Sequence, residues 1–440
     1  MTTQHTTTDP RPGVRVGHTL VRVGWGRRLE CGLALVALAA RVTLTRLAGA
    51  DGADVVLAFG TALLLWSPSV RTWLARTAHD ERIERTVTKA VAASGVLGGR
   101  DVAVDAIRPV PAGHQLSLWV PPGTSVSELQ KGEELLAVAF GARSVTVERD
   151  PAHAGRAVVT VAFVDPLGGP PRPWPWPWTG TSRTDFWAGL PLGHDEAGET
   201  VWLSLIERHL LIGGEPGGGK SNALSLVTAA AALDPTAELW LFDGKLVELS
   251  AWRAAATRFV GADLHEATEA LDELRAEMVR RYEWLLATGL RKVAPGMGLG
   301  PIVVVVDELA LYLHGTGKAG SGFAEALRDL VARGRAAGVV VVAATQKPAS
   351  DVVPTSLRDL FGYRLAMRCA TRDASDTILG SGWATAGYTA SDIDPTTRGT
   401  GLLLAEGGVP RRLRAFHLDD EGLARTADCA ARLRYGDGAR

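Results

Sequence analysis

GGEPGGGKS, residues 213–221, decides how the rest of this 440-residue chain is read. From Gly214 to Ser221 it fits the pattern G-x-x-x-x-G-K-[ST]. Ahead of it, HLLIG (209–213) has the apolar run of a short buried strand; behind it, NALSLVTAAAAL has the composition of a helix. A strand, a glycine-rich turn and a helix N-terminus make an anion site, because the first helical N–H groups have no partner within the helix. Gly217, Gly218 and Gly219 let backbone amides curl around phosphate where any Cβ would obstruct. Glu215 and Pro216 complete the loop, and they and Asn222, which follows it into the helix, are expected to contact the nucleotide with the glycines. In this pattern Lys220 reaches the β- and γ-phosphates and the Ser221 hydroxyl ligates Mg²⁺. A bound nucleoside triphosphate is the expectation.

PIVVVVDE (301–308) is the second signal. Four valines lead into Asp307 and Glu308, which places both carboxylates at the C-terminal edge of a strand, where open α/β sheets bind ligands. Asp307 is expected to hold Mg²⁺ through its coordination shell, and Glu308 to orient or deprotonate the attacking water. GVVVVAATQ (338–346) puts Gln346 at another strand end, either as a sensor of the γ-phosphate or as an ordinary polar terminus. Arg333 and Arg335 precede that strand; in a ring either could reach a neighbour's nucleotide, or either could sit on a solvated helix face. Arg364 and Arg368 are comparable candidates, and spacing alone does not place Lys245 or Glu248. With ELWLFD (238–243) and YRLAMRC (363–369), these segments alternate with helical stretches, and runs such as VVVV are apolar on both faces. That is the composition of a parallel sheet covered by helices, so the fold class is α/β with a P-loop core.

Net charge is −1, so no global basicity marks a nucleic-acid partner. Cys31, Cys369 and Cys429 are too scattered for a disulfide framework or a zinc site. Residues 1–28 read as a disordered cytoplasmic N-terminus. Two apolar runs, 31–48 and 53–66, then suggest a transmembrane hairpin over 29–68. Both are short or interrupted against the roughly 20 residues a span needs, and Arg41 is awkward there. A pair of packed helices is the other reading. The flanks favour the hairpin, since Arg15, Arg22, Arg27, Arg28 and then Arg71, Arg76, Arg82, Arg85 bracket a turn holding only Asp51 and Asp54. A linker helix is expected over 69–99 and a small α+β subdomain over 100–165. In the latter QLSLWV (115–120) alternates, SVSE (125–128) opens a helix to about Phe140, and SVTVE and AVVTVAFV read as strands. GGPPRPWPWPW lies in a linker over 166–184, an extended connector whose Trp rings either pack on a neighbour or form an aromatic binding platform. The ATPase domain is expected over 185–419, with a tail at 420–440.

Taken jointly, GGEPGGGKS, DGKLVELS, MVRRYEWL, VVVVDELA, ARGRAAG, ATQKP and RDASDTILG stand in the order and spacing of the FtsK/SpoIIIE family of DNA translocases. LPLGHDEAG (190–198) resembles that family's lead-in strand and turn, and 100–165 its small motor subdomain. The resemblance covers about 100–419. It implies a homo-hexameric ring that threads double-stranded DNA through its pore and is powered by ATP with Mg²⁺. It implies phosphate binding by Gly214 to Ser221, hydrolysis by Asp307 and Glu308, and nucleotide sensing by Gln346. Arg335 is the candidate trans-acting finger. Too few residues follow His417 for the winged-helix module of cell-division members, and two apolar runs replace the usual four. The chain is similar to the short, membrane-anchored TraB-like transfer proteins of actinobacterial conjugative elements, with the motor cytoplasmic and other transfer proteins as partners. A chromosome pump and a type VII-like protein secretion ATPase are the alternatives.

Overall fold

A computed structural model describes Thr45, Trp66 and residues 68–168, 174–313, 318–346 and 353–436. These form two compact units, one running to Pro109 and including Gly113–Phe163, the other comprising Val110–Ala112 and everything from Val164. Among the described residues no helix is long and apolar enough to cross a membrane. The expected hairpin lies almost wholly outside them.

The first unit contains β1 (Ala103–Val110), β2 (Gly113–Trp119), β3 (Ser144–Arg149) and β4 (Arg156–Ala162), in the sheet order β1-β2-β4-β3. Side chains two apart share a face of a strand. Leu116 and Leu118 therefore enter one core with Val145, Val147, Val159 and Val161. Val87 and Val91 from the helix Pro68–Ser94 complete that core with Leu129 and Leu136. The single helix expected from SVSE is two, Val126–Lys131 and Glu133–Phe140. Ser125 caps the first by accepting a hydrogen bond from the Glu128 N–H. The break falls at Gly132, where a Cβ would stand 2.4 Å from a Val96 methyl.

The second unit is built on ten strands: β5 (Leu190–Asp195), β6 (Thr200–Leu203), β7 (Leu210–Gly213), β8 (Glu238–Phe242), β9 (Arg258–Val260), β10 (Ile302–Val306), β11 (Val339–Thr345), β12 (Tyr363–Met367), β13 (Thr400–Ala405) and β14 (Arg411–Ala415). Their order is β6-β5-β14-β13-β12-β7-β11-β10-β8-β9. From β12 to β9 every pairing is parallel, and from β12 to β6 every pairing is antiparallel. Two cores lie on opposite faces and divide each strand by alternation. Val303 and Val305 of β10 belong to one, and Ile302, Val304 and Val306 to the other. A strand covered on both faces has no solvated side, which is why β10 is apolar at every position.

From Trp174 onward the Pro/Trp segment packs against the core of this unit. Trp176 is 1% exposed, and its indole N–H donates to the Pro191 carbonyl at 3.0 Å. The Trp176 N–H donates to the His417 carbonyl, and the His417 N–H to that of Trp174. Trp174 meets His194 edge-on, and Trp178 meets Trp202. Trp174 and Trp178 pack half-buried against the same core as Trp176, so the rings of the segment serve packing, while Trp202 stays 58% exposed.

Parallel pairing brings several strand ends to one edge of the sheet. The register sets Gly213 beside Thr345 and beside Ala366. The loop after β7, the acids after β10, Gln346 after β11 and Arg368 after β12 therefore converge.

Candidate nucleotide-binding site

The loop from Gly214 to Gly219 leaves β7 and enters the helix Lys220–Ala232. Its path requires glycine at two points. Gly217 has φ +82°, and Gly219 has φ +110°, with any Cβ at 219 only 2.7 Å from the Gly399 Cα. The loop is tied to its surroundings through backbone hydrogen bonds. Gly214 N–H donates to Thr345, Glu215 N–H to Arg368 and Gly399 N–H to the Gly218 carbonyl. A small cleft opens at the helix N-terminus, lined by Pro216, Gly217, Gly219, Lys220 and Ser221 with Glu215, Gln346 and Arg398.

Beneath the cleft lies a cluster of four charges. Lys220, 3% exposed, donates from Nζ to the Asp307 carbonyl at 3.0 Å and to Asp307 Oδ1 at 3.1 Å. Asp307 is fully buried, and its Oδ2 accepts no hydrogen bond. Lys245 Nζ stands 3.9 Å from that Oδ2 and 3.5 Å from Glu308 Oε2. Glu308 accepts from the Thr345 hydroxyl at 3.0 Å and from the Gln346 N–H at 3.2 Å. Burial of charge is tolerable here because each acid faces a cation, and Glu308 has further donors in Thr345 and Gln346.

The fit to Mg²⁺ can be tested on the donors themselves. Among the described residues no cluster of three or more His, Cys, Asp or Glu could hold a metal ion unaided. Mg²⁺ does not demand one, since it is commonly held by one or two protein oxygens together with substrate phosphates and water. The uncommitted Oδ2 of Asp307 and the cleft-lining Ser221 are donors of that kind.

Residues 177–301 match the model of the FtsK/SpoIIIE family. The DNA translocase FtsK of Staphylococcus aureus is 29% identical over 214 residues, which cover 44% of this chain and 27% of that one. The DNA translocase FtsK of Pseudomonas aeruginosa is 28% identical over 370 residues, covering 73% and 43%. Over residues 177–301, which hold the glycine loop, the chain is similar to FtsK/SpoIIIE proteins, and its core is that of a P-loop ATPase. It spans less than half the length of these curated relatives. Among solved structures, the pCW3 conjugation coupling protein TcpA, in its monomer form with ATPγS, is similar at a TM-score of 0.51 and 18% identity, covering 77% of this chain and 96% of that one. That likeness bears on the fold alone.

The motif residues are not all placed alike. Glu215, Pro216, Gly217, Gly219, Lys220, Ser221 and Gln346 surround the cleft, with Asp307 against Lys220 and Glu308 against Gln346. The Gly218 N–H is used in a turn to the Glu215 carbonyl, and the Glu215 carboxylate pairs with Arg368. The Asn222 side chain is directed elsewhere: its amide donates to Phe416 at 2.6 Å and accepts from Leu418 at 2.9 Å, which pins the helix to the chain after β14. Arg335 is remote from the cleft. It precedes β11 at the opposite sheet edge, where it meets Glu406 at 3.5 Å and the Leu360 carbonyl at 3.1 Å. Arg364 lies at the same far edge, donating to the Leu379 carbonyl.

Lys245, Thr345 and Arg398 belong to the cleft or its charge cluster without having been named from sequence as site residues. Lys245 follows β8, which neighbours β10, so the strand order brings it to the acids. No spacing rule carries that information. Arg398 precedes the second glycine contact of the phosphate loop, and only the packing of Gly399 on Gly219 reveals it.

Proposed function

We propose that this chain is an ATP-driven motor for double-stranded DNA, anchored at the cytoplasmic membrane and working in conjugative DNA transfer as a ring of identical subunits. The observation that carries the catalytic part is the Lys220–Asp307–Glu308–Lys245 cluster at the mouth of the glycine loop. The translocase part draws on the FtsK relatives and the conjugative part on the TcpA likeness, whose extent matches nearly the whole of that chain. The arginine asymmetry around residues 29–68 supports the membrane anchor.

In this proposal Lys220 exchanges Asp307 for the phosphates when ATP enters. Asp307 and Ser221 would then be the residues that hold Mg²⁺. The bound ion would neutralise developing phosphate charge. Glu308, held by Thr345 and Gln346, orients the attacking water and takes its proton. Gln346 lies between Glu308 and the cleft, so a change at the terminal phosphate has a short path into β11. Arg335 cannot serve its own cleft, because the length of β11 separates them by roughly 20 Å. In a ring it would serve a neighbour's.

ATP turnover by the purified chain, with linear double-stranded DNA or with a secreted peptide, tests this directly. Stimulation by DNA and movement of a displaceable roadblock are expected. Stimulation by peptide alone would favour a protein-secretion ATPase, and the absence of both responses would remove the motor assignment.

A further inference from the structure

The sequence motifs assign no role to Arg398, yet it lines the same cleft as Lys220, Ser221 and Gln346. Its backbone is tightly fixed. Asp394 organises the approach by accepting from the Thr396 N–H and hydroxyl at 2.8 Å, while its carbonyl accepts from Thr397. The Arg398 carbonyl accepts from Arg414 Nε at 3.2 Å. Gly399 then packs on Gly219 and donates to the Gly218 carbonyl, while its own carbonyl accepts from Ala415. The segment carrying Arg398 is thus built into the wall of the phosphate loop. Its side chain, by contrast, is exposed.

Charge pairing separates this arginine from the other cations nearby. Lys220 is bound to Asp307, Lys245 faces Asp307 and Glu308, and Arg368 pairs with Glu215. Arg398 has no carboxylate partner among the described residues. A guanidinium carried on a fixed backbone, with no carboxylate partner among the described residues and lining a cleft at a helix N-terminus, is suited to bidentate contact with phosphate oxygens.

We propose that Arg398 binds the phosphates of the nucleotide in cis, completing the site that the glycine loop begins. This rests on the cleft being the nucleotide site, and it adds a cation from the segment before β13 that the motif does not contain. The guanidinium contributes charge-assisted hydrogen bonds from the side of the cleft opposite the acids' own strand, with no demand on a neighbouring subunit.

The test is equilibrium binding of a fluorescent, non-hydrolysable ATP analogue with Mg²⁺ to the purified full chain, at dilutions where it is monomeric. Arg398→Ala is expected to weaken binding by roughly 10–100-fold, as loss of a charge-assisted hydrogen bond does. Arg398→Lys should recover part of the loss, and the thermal midpoint without nucleotide should stay within about 2 °C of wild type, because an exposed side chain carries little packing. Lys220→Ala is the reference: if it too binds like wild type, the cleft is not the nucleotide site and the failure lies there. Arg398→Ala binding within twofold of wild type, while Lys220→Ala has lost binding, overturns the role of Arg398. A weakening seen only in assembled rings, or one accompanied by a lowered thermal midpoint, also overturns it, the first in favour of action in trans and the second of a structural part.

Discussion

Replacing Lys220 by methionine should destabilise the nucleotide-binding unit even before any ATP is added. The side chains of Lys220 and Asp307 are 3% and 0% exposed, with 3.1 Å between Nζ and Oδ1. Methionine fills much of the same space and removes the charge, so Asp307 is left buried with only Lys245, 3.9 Å away, as a counter-ion. Breaking a buried ion pair from one side costs about 3–5 kcal/mol, because the remaining charge stays out of water. The second lysine sets the expectation at the lower end, about 3 kcal/mol. For a unit of this size that corresponds to a thermal midpoint lowered by roughly 6–12 °C. Removing both charges should be far milder, since apolar replacement of a whole buried pair is often near neutral. Lys220→Met/Asp307→Leu should therefore melt well above Lys220→Met. The assay is thermal and urea unfolding of wild type, both single variants and the double variant, all without added nucleotide. The reasoning is refuted if Lys220→Met melts within 1 °C of wild type, or if the double variant is less stable than Lys220→Met alone.

Two further outcomes follow from the same unit. Glu308→Gln keeps the shape that Thr345 and Gln346 hold, so an ATP analogue should bind as in wild type while turnover falls by at least ~10²-fold; a lost binding signal instead would make Glu308 structural. His209 is fully buried, with Nδ1 accepting from the Val341 N–H at 3.0 Å. Burial first, and the Arg335 charge second, lower its pKa from 6.5 to about 3. Between those values the unfolded chain binds the proton and the folded chain does not, so stability is complete above about pH 6.5 and declines as pH falls through the window. Urea unfolding at pH 7 and pH 5 should show wild type losing about 2 kcal/mol more than His209→Gln, and equal losses would place the buried imidazole outside the acid response.

The parallel half of the sheet was legible because its strands have no solvated face. An unbroken apolar run such as IVVVV has one economical explanation, and its C-terminal edge then locates Asp307 and Glu308. The antiparallel half was harder to read. The sequence pattern singles out only β5 there, as the lead-in strand, and no motif marks β13 or β14, although Leu402, Leu404 and Leu413 fill the cores. Strand order is a second thing that local pattern does not encode. Lys245 reaches the acids because β8 lies beside β10, and its own neighbours in sequence carry no sign of that. Asn222 illustrates the reverse, since its place after Ser221 suggested a ligand contact while Phe416 and Leu418, far along the chain, take both ends of its amide.

Arg335 and Arg398 lie at opposite edges of one sheet, and that separation bears on how a ring would share its sites. Arg398 is fixed to the phosphate loop through Gly399 and Gly218, so any contact it makes with nucleotide is available to a single chain. Arg335 is held at the far edge by Glu406 and the Leu360 carbonyl, and it also sets the field felt by His209 at the start of β7. A subunit could therefore bind nucleotide with its own cation and still depend on a neighbour for the arginine that speeds hydrolysis. Binding would then be indifferent to assembly while turnover required it. On the proposed ring, that division makes assembly the step that licenses ATP consumption, so a membrane-held subunit outside a ring would hold nucleotide without spending it.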